Sequence, residues 1–260
     1  MPLQKKQFLT ALVITFNEEH NIKAVLDDLS FANEIIVVDS FSSDRTFEIA
    51  SSYNNVKTIQ RTFDNFASQR NFAVSLASHS WIFFMDADER LTPELKSEIV
   101  EVINSPNPSS AYFVHRICMF KNKKIRFSGR QTDKIFRLFN KVNAFYDIKK
   151  IVHEKLIVNG SIGSLKNKLI HFSYSDYNSY KQKMLFYGRL KAREEFERKT
   201  NPIFFHFYIR PLYQFLYRYI IRFGFLDGKK GVIICYLNAL SVAERFRELR
   251  KIKSAKISRI

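Results

Sequence analysis

Short apolar runs alternate with segments of helical periodicity along the first 110 residues. Four runs have the length and the β-branched or aromatic content of strands: FLTALVITF (8–16), EIIVVD (34–39), NVKTIQR (55–61) and WIFFMD (81–86). The four segments that follow them predict helices: EEHNIKAVLDDLS (18–30), DRTFEIASSY (44–53), FASQRNFAVSLAS (66–78) and TPELKSEIVEVIN (92–104). Repeated βα units of this kind predict an α/β fold, an open and mostly parallel sheet with helices on both faces.

Acidic or polar clusters follow three of the predicted strands: Thr15–Glu19, Asp39–Asp44 and Asp86–Glu89. The carboxyl ends of parallel strands meet at one edge of the sheet, where ligands of such folds bind. Neighbouring carboxylates repel one another unless a cation or hydrogen-bond donors lie among them. Oxygen ligands favour Mg²⁺ or Mn²⁺, ions that also bind phosphates. A solvated turn explains Asp86-Ala87-Asp88 alone equally well, but three clusters at one edge favour a ligand site.

The chain beyond residue 172 changes to helical patterns rich in aromatic and basic residues. The span 203–226 is apolar but contains three arginines, too many for a typical membrane-spanning helix. The apolar run 231–243 is too short to span, and glycines between 224 and 231 predict the turn that separates two helices. Residues 181–260 carry 19 Lys and Arg against 6 Asp and Glu, so most of the net charge of +17 lies there. We expect residues 203–260 to bind an anionic membrane surface, with packing against the sheet domain as the alternative.

Composition excludes several classes of protein. A chain that is 46% hydrophobic, with 26 Phe, is not intrinsically disordered. Cys118 and Cys235 are too far apart to indicate a disulfide framework or a zinc site, which is consistent with a reducing cytosol. The N-terminal apolar run is short and lacks a small-residue cleavage site, so it predicts a first strand and no signal peptide.

Three motifs, in order, resemble the inverting family 2 glycosyltransferases of the GT-A fold: LVITFNEEHNI, IIVVDSFSSDRT and FFMDADERLTPEL. The resemblance extends over about residues 8–172. DKIFRLF, IVHEKL and the basic aromatic tail resemble a subgroup, the lipopolysaccharide core glucosyltransferases of Gram-negative bacteria. The family resemblance implies a GT-A catalytic domain at 1–172, with a half that binds the nucleotide sugar (1–110) and a half that binds the acceptor (111–172). Residues 173–260 would be a helical membrane-associating region.

The resemblance implies roles for residues around a UDP-sugar and its metal ion. Thr15, Asn17 and Glu18 would line the base and ribose pocket, and Asp39 would accept hydrogen bonds from the uracil or ribose. Asp86 would contact the ribose or the sugar. Residues implied near the phosphates, the metal or the nucleotide are Asp88 as ligand of Mg²⁺ or Mn²⁺, His153 at the metal or pyrophosphate, Arg70 near the nucleotide and Arg137 at the leaving diphosphate.

Structural roles remain open for most of these residues. The alternative role of Asp39 is to cap the turn that follows it, and that of Asn17 or Glu18 is to cap the next helix. The alternative for Arg70 is a solvated position at the surface. The alternative for Arg137 is a structural ion pair, and that for His153 is a set of structural hydrogen bonds. Glu89 suits a salt bridge or the N-terminus of a helix.

Inversion by direct displacement needs a base that removes the proton of the acceptor hydroxyl. Glu154 in IVHEKLIV is the candidate that the resemblance implies, although the family more often has Glu-Asp here. Asp133 is the rival base, and an ion pair with neighbouring Arg130, Lys134 or Arg137 is its alternative role.

The expected activity is transfer of a hexose, from UDP-glucose, onto a lipid-linked saccharide such as the lipopolysaccharide inner core. The expected location is the cytoplasmic face of the bacterial inner membrane, as a peripheral protein without a spanning helix. Alternatives are a family 2 enzyme for capsule or another glycolipid, and a nucleic-acid-binding protein that uses the basic aromatic tail. Nucleic acid is not expected, because that function leaves the acidic strand ends unexplained. A haloacid dehalogenase-type phosphatase would end its first strand in Asp-x-Asp, whereas this one ends in Asn-Glu-Glu.

Overall fold

The computed structural model describes residues 6–121, 123–147, 155–174 and 176–257. The chain forms two compact units. The first unit consists of Met1–Ile117 and Lys134–His171, and the second of Cys118–Asp133 and Phe172–Ile260.

The first unit begins with alternating strands and helices. The strands are β1 (Leu9–Thr15), β2 (Glu34–Asp39), β3 (Val56–Gln60), β4 (Trp81–Asp86) and the short β5 (Glu89–Arg90). The helices are α1 (Glu19–Leu29), α2 (Thr46–Ser51), α3 (Phe66–Leu76) and α4 (Pro93–Ile103). Later strands of the chain are β6 (Ala111–Phe120), β7 (Lys123–Ile125), β8 (Lys134–Asn140), β9 (Ala144–Tyr146), β10 (Leu156–Val158), β11 (Ile162–Ser164) and β12 (Leu169–Tyr174). Of these, β7 belongs to the second unit. All eight elements predicted over residues 8–104 are confirmed.

The four predicted strands pair in parallel in the order β3-β2-β1-β4. Beyond β4 the sheet continues with β8 and β6, each antiparallel to its neighbour. The predicted α/β fold with a mostly parallel sheet is therefore confirmed, with antiparallel strands added on one side. β12 pairs antiparallel with β5 and brings a late segment of the chain next to the turn after β4.

Three of the parallel strands, β1, β2 and β4, are buried on both faces, as their continuous apolar sequences predict, whereas the edge strand β3 is partly exposed. Odd-numbered residues of β1, such as Leu9, Ala11 and Val13, pack in one cluster with the apolar sides of α1 and α4. Leu12 and the alternate residues of β2 and β4 pack in a second cluster that includes Ala67 and Ala73 of α3. Each strand is thus fixed in register, because a shift by one residue would exchange its two faces.

The second unit is mainly helical. It contains α5 (Tyr177–Glu197), a π-helical turn (Phe205–Ile209), α6 (Arg210–Leu216), a second π-helical turn (Tyr217–Ile221), a 3₁₀ turn (Gly224–Asp227) and α7 (Gly228–Ile257). α5 and α7 approach closely at Gly188, where an added Cβ would lie 2.7 Å from the Ser241 carbonyl oxygen. Apolar side chains of both helices, among them Tyr180, Leu237 and Phe246, fill the interface. The predicted helical C-terminal segment is confirmed.

One detail of the predicted turn is wrong. Gly231 was expected between the two helices, but α7 begins at Gly228 and includes it. Gly231 meets a different requirement, since an added Cβ would overlap the Gly224 carbonyl oxygen. Among the described residues, none of the helices has both the length and the apolar character needed to cross a membrane.

Candidate active site at the carboxyl edge of the sheet

The ends of β1, β2 and β4 lie side by side. Thr15, the last residue of β1, is in register with Asp39 of β2, and Ile14 is in register with Asp86 of β4. The prediction that the three clusters share one edge of the sheet is confirmed. This edge is where ligands bind in folds of this type.

The turns after β1 and β2 are joined by reciprocal hydrogen bonds. The Asn17 amide donates to Ser42 Oγ (2.8 Å), and the Ser43 amide donates to Asn17 Oδ1 (2.8 Å). The Glu18 amide donates to Thr46 Oγ1 (2.7 Å). Asn17 has a positive φ of 54°, a conformation that Asn adopts more readily than most residues. Asn17 therefore fixes the shape of both turns. Glu18 is the residue before α1, and its side chain makes no capping hydrogen bond to that helix.

Asp39 is fully buried at the end of β2. Its carboxylate accepts hydrogen bonds from the Ser42 amide (2.9 Å), from Ser42 Oγ and from Gln60 Nε2 (3.2 Å). The alternative role of capping this turn is thus present, and contact with a nucleotide remains a prediction. Thr15 is also buried, and its Oγ1 has no hydrogen-bond partner among the residues that the structure describes. A buried hydroxyl without a partner has donor and acceptor capacity available for a ligand.

Asp86 is held between two arginines. Arg70 Nη2 donates to Asp86 Oδ1 (2.9 Å), and Arg137 Nη2 donates to Asp86 Oδ2. Burial acts to raise the pKa of the Asp86 carboxyl, but Arg137 and Arg70 outweigh it and hold that pKa far below its usual range. The two guanidiniums thus stabilise the ionised form of Asp86.

Arg70 is not a solvated surface residue, so that alternative is wrong. Only 5% of Arg70 is exposed, and its guanidinium lies over the rings of Phe84 (4.5 Å) and Tyr146 (5.5 Å). These aromatic faces, together with the ion pair to Asp86, fix the position of the guanidinium at the end of β4.

Glu89 completes a buried ionic network. Its Oε1 accepts from Arg137 Nη2 (2.6 Å) and lies 3.5 Å from Arg116 Nη1, and its Oε2 accepts from the Asp86 amide (3.1 Å). The salt-bridging role predicted for Glu89 is confirmed, as is the ion pair that was the alternative role of Arg137. Arg137 is fully buried, and its Nε and Nη1 have no hydrogen-bond partner within the described part of the chain. Contact between Arg137 and a diphosphate remains a prediction.

Asp88 lies beside a histidine that sequence reasoning missed. His171 Nε2 is 3.3 Å from Asp88 Oδ2, and both side chains are mostly buried. β12 brings His171 here by pairing with β5, where His171 is in register with Glu89. A carboxylate oxygen suits Mg²⁺ or Mn²⁺, and a neutral imidazole nitrogen is a common ligand of divalent metals, so both side chains have metal-binding atoms. The sequence signal that could have identified His171 was a polar residue within the strand pattern LIHFSY.

With this geometry established, comparison with known proteins identifies the family. The model of glycosyl transferase family 2 matches residues 10–155, more than half of the chain. The chain belongs to the family 2 glycosyltransferases.

A lipopolysaccharide core biosynthesis glycosyltransferase, LpsC of Rhizobium meliloti, is 26% identical over 91% of this chain and 92% of its own. Staphylococcus aureus TarS, solved with UDP, has a TM-score of 0.47 and 13% identity over 95% of this chain and 92% of that one. Glucosyl-3-phosphoglycerate synthase of Mycobacterium tuberculosis was solved with Mn²⁺, UDP and glucosyl-3-phosphoglycerate. Its TM-score is 0.37, with 18% identity over 44% of each chain.

Two exposed aromatic rings also belong to this edge of the glycosyltransferase and were missed from sequence. Phe16 and Phe41 follow the ends of β1 and β2 and are 58% and 54% exposed. Phe41 adopts a positive φ of 58°, which is unfavourable for a bulky residue and marks a conformation held by the surrounding turn. Exposed rings beside polar groups can stack on a flat base.

Asn71 holds the segment that precedes the predicted base. Its Nδ2 donates to the Tyr146 carbonyl oxygen (2.8 Å), and its Oδ1 accepts from the Tyr146 amide (3.0 Å). His153 and Glu154 lie outside the described residues, so their predicted roles stay predictions. β9 and β10, the described strands before and after these two residues, pair antiparallel, and Asn71 bonds the last residue of β9.

Asp133, the rival base, belongs to the second unit. Its Oδ2 accepts from Cys118 Sγ (3.1 Å) and lies 3.5 Å from Arg130 Nη1. The ion pair that was its alternative role is therefore present with Arg130, and a catalytic role remains a prediction.

Proposed function

We propose that this family 2 enzyme transfers a hexose, glucose from UDP-glucose, with inversion onto a lipid-linked saccharide, the inner core of lipopolysaccharide. The observation that carries the proposal is that Asp39 and Asp86 end neighbouring parallel strands at one carboxyl edge, where two buried arginines pair with Asp86. Such an edge combines acceptors for a nucleoside with charges that can balance a diphosphate.

The nucleoside would bind at the ends of β1 and β2. Thr15 has a buried hydroxyl available for a ligand, and Asp39 has a carboxylate oriented by Ser42 and Gln60. Asn17 and Glu18 line the joined turns, and Phe16 offers a ring for stacking on the base. Asp86 would accept from the ribose or sugar hydroxyls, because its charge is fixed and its carboxylate keeps 28% exposure.

Asp88 and His171 would hold the divalent cation. Their donor atoms, 3.3 Å apart, fit an ion of this class, and an oxygen with a nitrogen ligand suits Mn²⁺ better than Mg²⁺. When bound, the cation supplies Lewis-acid stabilisation of the charge that develops on the departing diphosphate. His153 is a further candidate ligand.

Arg70 and Arg137 would act by keeping Asp86 ionised and in place. Both guanidiniums are buried, so their charge acts over short distances in a medium of low dielectric constant. At the end of β4 their charges compensate those of Asp86 and Glu89, so these carboxylates would repel a bound diphosphate less strongly. Arg137 has two further donors that a small shift could direct to a phosphate oxygen.

Inversion requires one carboxylate on the side of the acceptor. Glu154 is proposed as the base that removes the acceptor hydroxyl proton while that oxygen forms its bond to the anomeric carbon and the bond to UDP breaks. Asp133 is the second candidate, although its bond from Cys118 and its pairing with Arg130 give it a structural role.

Similarity to LpsC supports lipopolysaccharide core as the acceptor, since the match extends over most of both chains. With an acceptor anchored in the inner membrane, the enzyme would act at the cytoplasmic face as a peripheral protein. The basic second unit suits that surface, because headgroups of such membranes are anionic.

The test is a donor and acceptor screen with purified protein. UDP release is measured for a panel of sugar nucleotides with Mn²⁺, Mg²⁺ or chelator, in the presence and absence of core lipopolysaccharide. We expect metal-dependent release of UDP from UDP-glucose that rises with acceptor, and a product with inverted anomeric configuration. No release with any sugar nucleotide would refute the donor class, and retention of configuration would refute the displacement mechanism.

A further inference from the structure

The helix that contains the two π-helical turns exposes ten large apolar side chains in adjacent pairs. Each of them is between 37% and 69% exposed. The pairs recur at every fourth residue: Phe204/Phe205, Tyr208/Ile209, Leu212/Tyr213, Leu216/Tyr217 and Ile220/Ile221. We call these ten residues the apolar stripe. A soluble protein rarely exposes a continuous apolar surface of this size without a partner.

The polar residues of the same helix lie on its inner side. They also recur at every fourth position, and all are half-buried: His206, Arg210, Gln214, Arg218 and Arg222. Arg218 Nη1 donates to the Ser128 carbonyl oxygen (3.0 Å), and Arg222 Nη2 donates to Thr132 Oγ1 (3.1 Å). An amphipathic helix at the surface of a soluble protein has the opposite arrangement. The exposed side of this helix therefore suits contact with an apolar medium.

The π-helical turns explain how the stripe stays on one side. In an α-helix, a repeat of four residues drifts by about 40° at each step, because 3.6 residues complete a turn. The turns Phe205–Ile209 and Tyr217–Ile221 are wider, with bonds between residues five apart, and bring the average repeat closer to four. The spacing of the apolar residues and the number of residues per helical turn therefore depart together from the α-helical value, and this match keeps the apolar stripe on one side of the helix.

The charge of the second unit indicates the partner. This unit has 24 Lys and Arg against 8 Asp and Glu, whereas the first unit has 18 against 17. The single acid within residues 203–230 is Asp227, and its carboxylate accepts from the Arg126 and Phe127 amides and from Ser128 Oγ. A second copy of the chain would bring like charges together, whereas an anionic lipid surface would be attracted.

We propose that residues 203–226 are a membrane-docking element that lies in one anionic leaflet, with the apolar stripe among the upper acyl chains and the basic residues of the second unit at the headgroup phosphates. The continuous helical part of this element, residues 204–221, is about 27 Å long and lies along the surface, which agrees with the lack of a spanning helix among the described residues. The inference rests on the proposed function for its biological setting. The following experiment tests it without catalysis.

The first measurement compares two dye positions on the full chain. Leu212→Cys lies in the stripe, and Phe186→Cys on α5 is the matched control, exposed to a similar degree at 47% against 54%. Both native cysteines are buried, so an environment-sensitive dye labels the introduced residue. With vesicles of phosphatidylcholine and phosphatidylglycerol, we expect a blue shift at position 212 and none at 186, with strongest quenching about 5–10 Å below the headgroups. An unshifted dye at position 212 would overturn the proposal.

The second measurement compares binding of the same vesicles by variants with unchanged circular dichroism. Tyr208→Ser and Leu212→Ser should each weaken binding about tenfold, whereas Phe186→Ser should not. Vesicles of phosphatidylcholine alone, or high salt, should weaken binding of the unsubstituted protein. Equal binding by all variants, or a dimer in solution that Leu212→Ser dissociates, would refute lipid as the occupant. These substitutions should not affect transfer to a delipidated core oligosaccharide. If the unsubstituted protein shows no such transfer, the result refutes the proposed function but not the membrane-docking element.

Discussion

Substitution of Arg137 tests whether the buried ionic network supports the active-site edge. Arg137→Met keeps the length and apolar stem of the side chain but removes the guanidinium. Glu89 would lose its 2.6 Å charged hydrogen bond, and Asp86 would lose one of its two arginines. Both effects fall on the end of β4.

The expected loss of stability follows from the burial of the partners. Arg137 and Glu89 are fully buried, and breaking a buried ion pair by removing one member costs about 3–5 kcal/mol. Arg70 remains with Asp86 and Arg116 remains 3.5 Å from Glu89, so some compensation is available. We therefore expect a decrease in the free energy of unfolding of about 3 kcal/mol.

Trp81 provides the assay, because it is the single tryptophan and begins the strand that Asp86 ends. It is 3% exposed, so its fluorescence reports unfolding of the first unit during urea titration. Arg45→Met, which removes an exposed pair with Glu48 in the same unit, is the control and should leave the midpoint unchanged.

A double-mutant cycle separates the pair from its surroundings. Glu89→Gln with Arg137→Met removes both charges, and the two changes should couple by at least about 1.5 kcal/mol. Additive effects, or a cost of Arg137→Met no larger than that of the control, would refute the account of a network that depends on mutual charge compensation.

Three further predictions concern the proposed chemistry. Asp88→Asn and His171→Ala should each abolish binding of Mn²⁺ in the presence of UDP, measured by calorimetry; unchanged affinity in either would remove that residue from the metal site. Glu154→Gln should bind UDP normally but lose transfer, whereas Asp133→Asn should keep it, and the reverse result would assign the base to Asp133. Asn71→Ala should destabilise the first unit by about 1–3 kcal/mol, because the Tyr146 amide and carbonyl lose their partners. If Asn71→Ala had the same chemical denaturation midpoint as the unsubstituted protein, this prediction of lower stability would be wrong.

The sheet and the position of its acidic edge were predictable from sequence. Strand length, β-branched content and the alternation with helical segments indicated parallel pairing, and parallel neighbours place Thr15, Asp39 and Asp86 at the same edge. The pairing of Glu89 in a salt bridge also followed, because three acids within four residues need compensation.

The contacts across the sheet could not be predicted. Arg70 is buried against Asp86, sixteen residues further along the chain, and nothing in its helix distinguishes it from a solvated arginine. His171 reaches Asp88 only because β12 pairs with β5, which are about eighty residues apart. Periodicity reports which side of an element faces the core, but not which distant element lies opposite.

The helix of residues 204–221 was predicted in part. Its aromatic and basic composition indicated a helix at a membrane surface, and the structure adds that Arg218 and Arg222 contact Ser128 and Thr132. The π-helical turns were missed, because a repeat of four residues is also compatible with a distorted α-helix.

The reciprocal bonds between Asn17 and the Ser42–Ser43 turn have a consequence for how quickly a ligand is captured. Since the two loops hold each other before any ligand arrives, their conformational freedom is lost during folding and not upon association. A nucleotide that binds there would meet a rigid cradle, so its capture would be limited by diffusion and orientation, without a slow loop-closing step at these residues.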